Sequence, residues 1–449
     1  MAIYCPNTTL ISKEKLKLTK YNSLQIYQFL RYGSFFLISI VLAKIAFYRF
    51  NPGYGTSIIG RYEFLMVVSS SLTFFWVSSI CNTLVPFFNA SNEDKQRRIL
   101  FNAFALMVAF SLLAGIITFC FGFYKKDDAY LFHMFSLVVF LNTPTFIVDY
   151  IFFLKGKYRS LIIWGIVTFT AHTLMLCLPL FFRQTLNLAV NLLVILALLK
   201  FNYTIILLMK YSTITINTRL IQEFMIKVMP FMFSILLAGS MDYINSFIVV
   251  HYFTEADFAV FRYGAKELPI FLIMANSLSN IYSGEIANLN KQGLLNQGLN
   301  KLKNSSRKLM YWLFPLAIIL LFVSKPMYIA LYNNDLVEGY KIFNISLLLI
   351  ISRLIFPQTV LTGLIKTRAF YLVSTNVLIV NVILAIWFIQ LFGISGIAYA
   401  TAISFLVEKI QLVIYCKIEG IRFKEYTPVV EYFVFSFLML AAFVISITI

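Results

Sequence analysis

Charged residues are scarce in this sequence, and acidic residues are the scarcer kind. Only 12% of the 449 residues are Asp, Glu, Lys or Arg, whereas 60% are hydrophobic. A soluble domain carries about 25% charged residues, so a soluble fold of this size is excluded. The apolar runs do not alternate with polar residues as the strands of an outer-membrane barrel do. The sequence therefore predicts an all-α polytopic membrane protein.

Motifs for catalysis and for metal binding are also missing. The five cysteines have no CxxC spacing, and the three histidines (His133, His172 and His251) lie on separate spans or links. No HExxH, GxSxG or P-loop pattern occurs. We therefore expect no catalytic residues, no metal site and no cofactor.

Hydrophobic runs of membrane-spanning length recur along the whole chain. A helix needs about 20 apolar residues to cross a bilayer. The runs are 28–48, 62–88, 99–123, 130–153, 160–182, 186–208, 224–250, 258–283, 308–332, 340–364, 370–392 and 396–417, with a thirteenth at 428–449. We expect a basic cytoplasmic tail (1–27), two six-helix lobes (28–208 and 224–417) joined by a cytoplasmic link (209–223), and an additional C-terminal helix (428–449).

The links between these runs differ in charge according to the side of the membrane. With the N-terminus in the cytoplasm, the tail and the cytoplasmic links hold 22 Lys and Arg residues. The opposite links hold five, namely Arg49, Arg61, Lys125, Lys126 and Arg183. This positive-inside bias predicts the orientation. It also explains the net charge of +18 without a nucleic-acid partner.

A weak internal sequence repeat supports two related lobes. Span 2 opens with Arg61-Tyr62 and span 8 opens with Arg262-Tyr263, and in both cases the preceding span ends in aromatic residues. Internal repeats with a site between the lobes are typical of secondary transporters.

Cations inside the spans are costly, so they usually face a wet cavity and mark a pathway. The candidates for a cationic, substrate-binding cavity are Arg31, Lys44, Arg262, Lys266 and Arg353. Arg262 and Lys266 are four residues apart and share a face if the helix is continuous. The excess of cations predicts an anionic substrate.

The remaining charged residues in the spans have other interpretations. Cations near the ends of runs are expected to reach the headgroups; these are Lys200, Lys227, Lys341 and Lys409. Asp242 and Glu267 are candidates for coupling transport to H⁺ or Na⁺. Asp242 could equally be a partner for a cation on a neighbouring helix.

Two segments carry a resemblance to a known family. The segment Arg262-Tyr-Gly-Ala-Lys-Glu-Leu-Pro269 resembles the corresponding part of Wzx-type polysaccharide flippases. These belong to the multidrug/oligosaccharidyl-lipid/polysaccharide (MOP) exporter superfamily. The segment Phe392-Gly-Ile-Ser-Gly-Ile-Ala-Tyr-Ala-Thr401 is similar to the family's Gly-x-x-Gly-x-Ala-x-Ala-Thr segment. An apparent thirteenth span departs from the twelve or fourteen that are usual.

The resemblance implies a MATE-like fold with a V-shaped cavity in the bacterial inner membrane. It also implies that undecaprenyl-pyrophosphate-linked oligosaccharide is moved to the periplasmic leaflet for O-antigen or capsule synthesis. Membrane lipids, a polysaccharide polymerase and chain-length proteins are the implied partners. By the same resemblance, Arg31, Arg262 and Lys266 would meet the pyrophosphate or acidic sugars.

Two other classes of function remain open. A polytopic polymerase or ligase could act on the same lipid, although such enzymes tend to carry a long outer loop and these outer links are short. Another member of the superfamily could instead be a lipid II flippase or a multidrug exporter. An exporter of cationic drugs would need acids in its cavity, so the surplus of cations disfavours it.

Overall fold

A computed structural model describes residues 20–51, 53–364, 366 and 368–448, which are almost entirely helical. The helices are α1 (Lys20–Arg49), α2 (Tyr54–Asn89), α3 (Glu93–Tyr124), α4 (Ala129–Asn142), α5 (Ile147–Leu154), α6 (Tyr158–Phe181), α7 (Leu186–Tyr211), α8 (Thr218–Tyr252), α9 (Glu255–Gly264), α10 (Pro269–Lys291), α11 (Leu295–Leu331), α12 (Gly339–Leu347), α13 (Leu349–Arg353), α14 (Pro357–Gly363), α15 (Arg368–Phe392), α16 (Ser395–Ile418), α17 (Phe423–Tyr426) and α18 (Val429–Thr448). The predicted all-α fold is confirmed.

Eleven helical stretches in the described part are long and apolar enough to cross a membrane, and the bent segment α12–α14 makes a twelfth. We call α1–α7 the first lobe and α8–α16 the second lobe, after the predicted division of the chain. In the first lobe, α4 and α5 form one span. The predicted thirteenth run is helix α18, which packs along α11.

The links between consecutive spans lie alternately at two ends of the bundle. One end, here called the α1–α2 end, contains the described link residues 50–51 and 53 and the links 125–128, 182–185, 253–254, 332–338 and 393–394. The opposite end, the α2–α3 end, contains the links 90–92, 155–157, 212–217, 292–294 and 419–422 and the described link residues 364 and 366. The cytoplasmic location of the α2–α3 end stays a prediction.

Two predicted non-helical segments are shorter than expected. Helix α1 already begins at Lys20, within the predicted tail 1–27, whose first 19 residues lie outside the described part. The link predicted at 209–223 is reduced to 212–217, because Asn217 caps α8 by accepting a hydrogen bond from the Leu220 amide (3.0 Å). Polar residues of the first turn of a helix were thus misassigned to a link.

The predicted span 258–283 is not one continuous helix. Helix α9 ends at Gly264, and α10 begins at Pro269 after a non-helical segment. Proline disfavours the helical conformation in the residue before it, and Leu268 is extended (φ −65°, ψ 127°). Lys266 and Glu267 lie in this break. Arg262 and Lys266 therefore do not share the face of one continuous helix, as the sequence predicted. The α9–α10 segment is also missing from the stretches apolar enough to span a membrane.

The segment that the predicted runs 258–283 and 308–332 leave between them is not a loop. Helices α10 and α11 continue through it and meet at residues 292–294. The hairpin is stabilised by an ion pair between Lys301 and Glu285 (2.6 Å) and by a hydrogen bond between the Tyr282 and Ser305 hydroxyls (2.6 Å). The polarity of this segment reflects an amphipathic hairpin, whose inner face buries Ile286 and Leu302.

The tenth predicted span is broken where a proline interrupts it. Helices α12–α13 and α14 meet at 43° across residues 354–356, immediately before Pro357. Proline cannot donate the backbone hydrogen bond that a continuous helix requires. The break leaves Arg353 at the end of α13, pointing into the second lobe.

The two lobes pack together where α2 lies against α8 and α9. Gly60 of α2 permits the closest approach, because a Cβ atom at this position would overlap the Glu255 carbonyl oxygen of α9. Near the same end, the Asn333 side chain donates a hydrogen bond to the Ala43 carbonyl (2.8 Å), joining the end of α11 to α1. The lobes are therefore closed against each other at the α1–α2 end.

We expect Gly60→Ala to destabilise the protein by about 1–3 kcal/mol, because the added methyl group forces α2 away from α9. Thermal unfolding in detergent measures the change. Gly33→Ala is the matched control, since nothing lies within 4 Å of a Cβ atom there and alanine is the better helix former. Equal unfolding temperatures for the two variants would contradict the contact.

Candidate functional site

A cavity of about 320 Å³ lies within the first lobe. Its wall is formed by α1, α2, α4, α6 and α7, with Tyr243 of α8 contributed by the second lobe. Most of the lining is apolar, aromatic or hydroxyl-bearing, and the charged or strongly polar members are Arg31, Asn142, His172 and Lys200. We call this space the first-lobe cavity.

Arg31 and Lys200 give the first-lobe cavity positive charge that no close ion pair neutralises. Lys200 donates a hydrogen bond to the Asn142 amide oxygen (2.6 Å), and the Arg31 guanidinium lies 5.1 Å from the centroid of the Phe146 ring. Among the described side chains, no carboxylate lies within 4.0 Å of either cation. Lys200 was expected to reach the headgroups, and its place in the cavity corrects that prediction.

A second cavity, of about 300 Å³, lies within the second lobe between α8, α9, α10, α13 and α16. The charged members of its lining are Asp242, Arg262, Lys266, Glu267 and Arg353. Five of the seven residues proposed from the sequence therefore meet in this second-lobe cavity. Their positive charges are opposed by carboxylates, unlike those of the first lobe.

Glu63 of α2 is the carboxylate that faces Arg262 and Lys266. Its Oε1 atom lies 3.1 Å from Lys266 Nζ, and its Oε2 atom lies 3.5 Å from Arg262 Nε. The Glu63 side chain is only 11% exposed, so this cluster is largely withdrawn from solvent. Because Glu63 belongs to the first lobe and the cations to the second, the cluster joins the lobes.

The other cation of the second-lobe cavity, Arg353, forms an ion pair with Glu267 (2.6 Å). Asp242 is exposed to the cavity, and among the described side chains it has no cation within 4.0 Å. The predicted role of Asp242 and Glu267 in ion coupling stays a prediction. The pairing of Glu267 explains why it does not add free negative charge to the cavity.

The repeated Arg-Tyr dipeptides occupy reciprocal positions between the lobes. Arg61 of α2 forms an ion pair with Glu255 of α9 (2.8 Å), while Arg262 of α9 meets Glu63 of α2. Asp128 adds a second carboxylate 3.5 Å from Arg61. Each helix thus supplies one arginine and one glutamate to the other, and the relation between the two lobes stays a prediction.

Other predicted positions lie outside these cavities. Lys44 is absent from both linings and donates a long hydrogen bond to the Ile329 carbonyl (3.5 Å). Lys409, expected to reach the headgroups, is instead 7% exposed and donates to the Gln358 amide oxygen (3.1 Å). Lys341 is exposed and pairs with Glu338 (2.6 Å).

Sequence reasoning missed Glu63 and His172 as parts of the site. Glu63 is an acid within an apolar run, and such an acid needs a cationic partner inside the membrane, which is a usable signal. His172 lies in the first-lobe cavity and hydrogen-bonds with the Tyr62 hydroxyl (3.1 Å). No sequence motif indicates this contact, because it joins α2 to α6 across the lobe.

No model of a protein family matches this sequence, and no curated protein matches it either. The fold is nevertheless similar to solved structures of the MOP superfamily. The lipid II flippase MurJ in an inward closed conformation has a TM-score of 0.67 and 16% identity, covering 94% of this chain and 93% of that chain. The MATE multidrug transporter DinF-BH has a TM-score of 0.57 and 13% identity, covering 90% and 96%. A mutant of the Vibrio cholerae MATE transporter VcmN has a TM-score of 0.55 and 12% identity, covering 92% and 98%.

We expect Glu63→Gln to lower stability by about 1–3 kcal/mol, because it leaves two partly buried cations without a carboxylate. Thermal unfolding of Glu63→Gln, Lys266→Met and the double variant forms a cycle whose coupling should reach about 1 kcal/mol or more. The exposed pair Lys341 and Glu338 is the control, with an expected coupling of about 0.5 kcal/mol or less. Strict additivity at Glu63 and Lys266 would show that the pair does not join the lobes.

Proposed function

We propose that this protein is a flippase that moves an undecaprenyl-pyrophosphate-linked oligosaccharide across the bacterial inner membrane, toward the periplasmic leaflet. The observation that carries the proposal is the first-lobe cavity, in which Arg31 and Lys200 face open space without a carboxylate within 4.0 Å. Two cations in a lining that contains no carboxylate favour an anionic ligand, and a guanidinium fork suits phosphate oxygens. The volume lies at the lower end of the range for ligand pockets.

The physical problem for a flippase is the headgroup rather than the lipid tail. Moving a pyrophosphate through hydrocarbon is prohibitive unless polar groups replace its water, and the first-lobe cavity supplies such groups. The tail can stay in the bilayer between helices. The lobes meet at the α1–α2 end, so release of the headgroup there requires the ion pairs of Glu63 and Arg61 to separate. Such an opening of one side of the cavity at a time is alternating access of two lobes.

The residues expected to bind substrate then divide into groups. We propose that Arg31, with Lys200, contacts the pyrophosphate in the conformation described. Arg262, Lys266 and Arg353 have their charges matched by Glu63 and Glu267, and they meet substrate only after the lobes separate. Lys44, outside both cavities, is left without a substrate contact.

Location and partners follow from the same proposal. We place the protein in the bacterial inner membrane as a multi-pass protein with its N-terminus in the cytoplasm, on the strength of the positive-inside bias. A polysaccharide polymerase and chain-length proteins would act on the delivered substrate. Coupling to H⁺ or Na⁺ needs no bound cofactor.

A lipid II flippase is the second candidate, favoured by the name of the similar MurJ structure. Its substrate carries the same pyrophosphate with a different sugar portion, so the cavity cations serve either substrate. An exporter of cationic drugs is disfavoured by the charge of the first-lobe cavity. A polymerase or ligase is disfavoured because the longest described link at the α1–α2 end is only 332–338.

We expect purified protein in proteoliposomes to flip a fluorescent undecaprenyl-pyrophosphate oligosaccharide, and Arg31→Gln/Lys200→Gln to slow this at least about tenfold. The reason is that each lost contact to a charged group is worth about 1.5–3 kcal/mol. Reduction of the label by an impermeant reagent measures the flipped fraction. Lys210→Gln is the matched control, because Lys210 lies on the same helix but in its exposed last turn.

A parallel assay with lipid II separates the two candidates. Faster flipping of the oligosaccharide lipid than of lipid II supports the first, and the reverse supports the second. Flipping of neither lipid by folded wild-type protein would exclude both. Unchanged flipping in the Arg31/Lys200 double variant would move the anion site to the second-lobe cavity.

A further inference from the structure

Hydroxyl groups supply much of the polar lining of the first-lobe cavity, and they share one arrangement. Six of its seven serine and threonine residues donate their hydroxyl proton to a backbone carbonyl three or four residues earlier, at 2.5–3.1 Å. They are Ser34, Ser69, Ser70, Thr73, Thr143 and Thr168. A hydroxyl has one proton and two lone pairs. Because the proton is used within the chain's own helices, each of these groups offers lone pairs to the cavity.

The cavity therefore has two kinds of polar surface. The Arg31 guanidinium and the Lys200 ammonium can only donate hydrogen bonds. Three of the hydroxyls belong to α2, and we call Ser69, Ser70 and Thr73 the α2 hydroxyl row. A phosphate accepts hydrogen bonds and suits the cations, whereas a group that suits the α2 hydroxyl row must bring donors of its own.

The two kinds of surface lie at the same depth in the lobe. Helices α1 and α2 run antiparallel from a close contact, where a Cβ atom at Gly55 would lie 2.6 Å from the Ala46 carbonyl oxygen. Arg31 is 15 residues before Ala46, and Ser70 is 15 residues after Gly55. Since both helices rise equally per residue, Arg31 is level with the α2 hydroxyl row. A ligand held by Arg31 therefore has this row beside it.

Aromatic surface adjoins the α2 hydroxyl row. Phe74 and Tyr243 both line the cavity, and their ring centroids are 4.6 Å apart. Gly239 leaves room for this pair, because a Cβ atom there would lie 2.5 Å from the Phe74 ring. The face of an aromatic ring is negative and attracts the slightly positive hydrogens of C–H groups. A sugar ring combines C–H groups on its faces with hydroxyl donors at its edge, which matches both surfaces.

We propose that the α2 hydroxyl row and Phe74 form a subsite for the sugar that is joined directly to the pyrophosphate. The sugar donates hydroxyl or amide protons to the row and packs its C–H groups on the aromatic pair, while Arg31 and Lys200 hold the pyrophosphate. This inference rests on the proposed function and deepens it, because it names the residues that recognise the glycan part of the substrate.

The preference for a donor follows from the cost of the alternative. To donate to a ligand oxygen, a hydroxyl of the row must give up its bond to the helix carbonyl, so one hydrogen bond replaces another. To accept from a sugar, the same hydroxyl keeps that bond and gains a second one. The row therefore favours a hydroxyl-bearing sugar over a further phosphate or any group that only accepts.

The first arm of the test uses the wild-type protein in detergent and measures lipid binding by thermophoresis. The probes are undecaprenyl pyrophosphate alone and the same lipid carrying one glucose, galactose or N-acetylglucosamine. We expect the best of the three sugar lipids to bind at least about fivefold tighter than the sugar-free lipid, since it adds hydrogen bonds to the row. Fluorine is close in size to a hydroxyl but cannot donate. Replacing one sugar hydroxyl at a time by fluorine should abolish most of this gain at one position or more.

The second arm compares two variants of α2. In Ser69→Ala/Ser70→Ala, the gain from the sugar should fall to about twofold or less, and the fluorinated lipids should no longer differ from the parent sugar lipid. Ser71→Ala is the matched control. Ser71 is the next residue and donates to the Val68 carbonyl in the same way (2.8 Å), but it does not line the cavity. This control should keep the full gain from the sugar.

A wild-type protein that binds the sugar-free lipid and none of the sugar lipids any tighter overturns the inference and leaves the anion site intact. A folded Ser69→Ala/Ser70→Ala protein that keeps the full gain overturns it as well. If that variant does not fold, the fluorinated lipids decide with the wild type, and a gain that survives every replacement rejects the subsite. Binding of no lipid at all, with or without a sugar, defeats the proposed function and the inference together.

Discussion

The contact of Glu63 with Arg262 and Lys266 is the interaction on which the rest of the arrangement depends. Inside a membrane a carboxylate must find a partner, and here both partners belong to the opposite lobe. Lys266 lies just beyond the end of α9, in the break before Pro269. The break in the helix thus supplies one of the cations of this ion cluster. The same contact closes the α1–α2 end, where Gly60 allows α2 and α9 to touch.

The two cavities differ in how their charge is balanced, and this difference suggests a division of roles. In the second lobe, Glu63 and Glu267 hold the cations in close ion pairs, so the charges serve the structure of this conformation. In the first lobe, Arg31 and Lys200 keep their charge available, because no described carboxylate lies within 4.0 Å of either cation. The number of cations in each lobe does not reveal this difference in charge balance, because the balance depends on the distance from each cation to the nearest carboxylate.

Much of the fold could be predicted from the sequence, since apolar runs of sufficient length leave few alternatives to helices. The errors occurred where hydrophobicity is a poor guide to structure. The segment 284–308 is polar but forms an amphipathic hairpin, and Leu268 before Pro269 ends what reads as a continuous apolar run.

For the site, the structure places Arg262, Lys266 and Arg353 in one cavity, Arg31 in the other and Lys44 in neither, and their role in binding substrate stays a prediction. Sequence reasoning missed Glu63, which lies about 200 residues from Lys266 in the chain. The depth of Lys200 was also misjudged. Distance from the end of a run does not reveal which way a side chain points, and that direction depends on Asn142 of a neighbouring helix.

Helix α11 has a mechanical consequence. It contains 37 residues, which corresponds to a length of about 55 Å, whereas the hydrocarbon core of a bilayer is about 30 Å thick. Part of the α10–α11 hairpin therefore lies beyond the hydrocarbon core. The turn near Gly293 is the part of this hairpin farthest from the bilayer. If the second lobe tilts in the membrane, geometry requires the turn to move farther than the residues inside the bilayer.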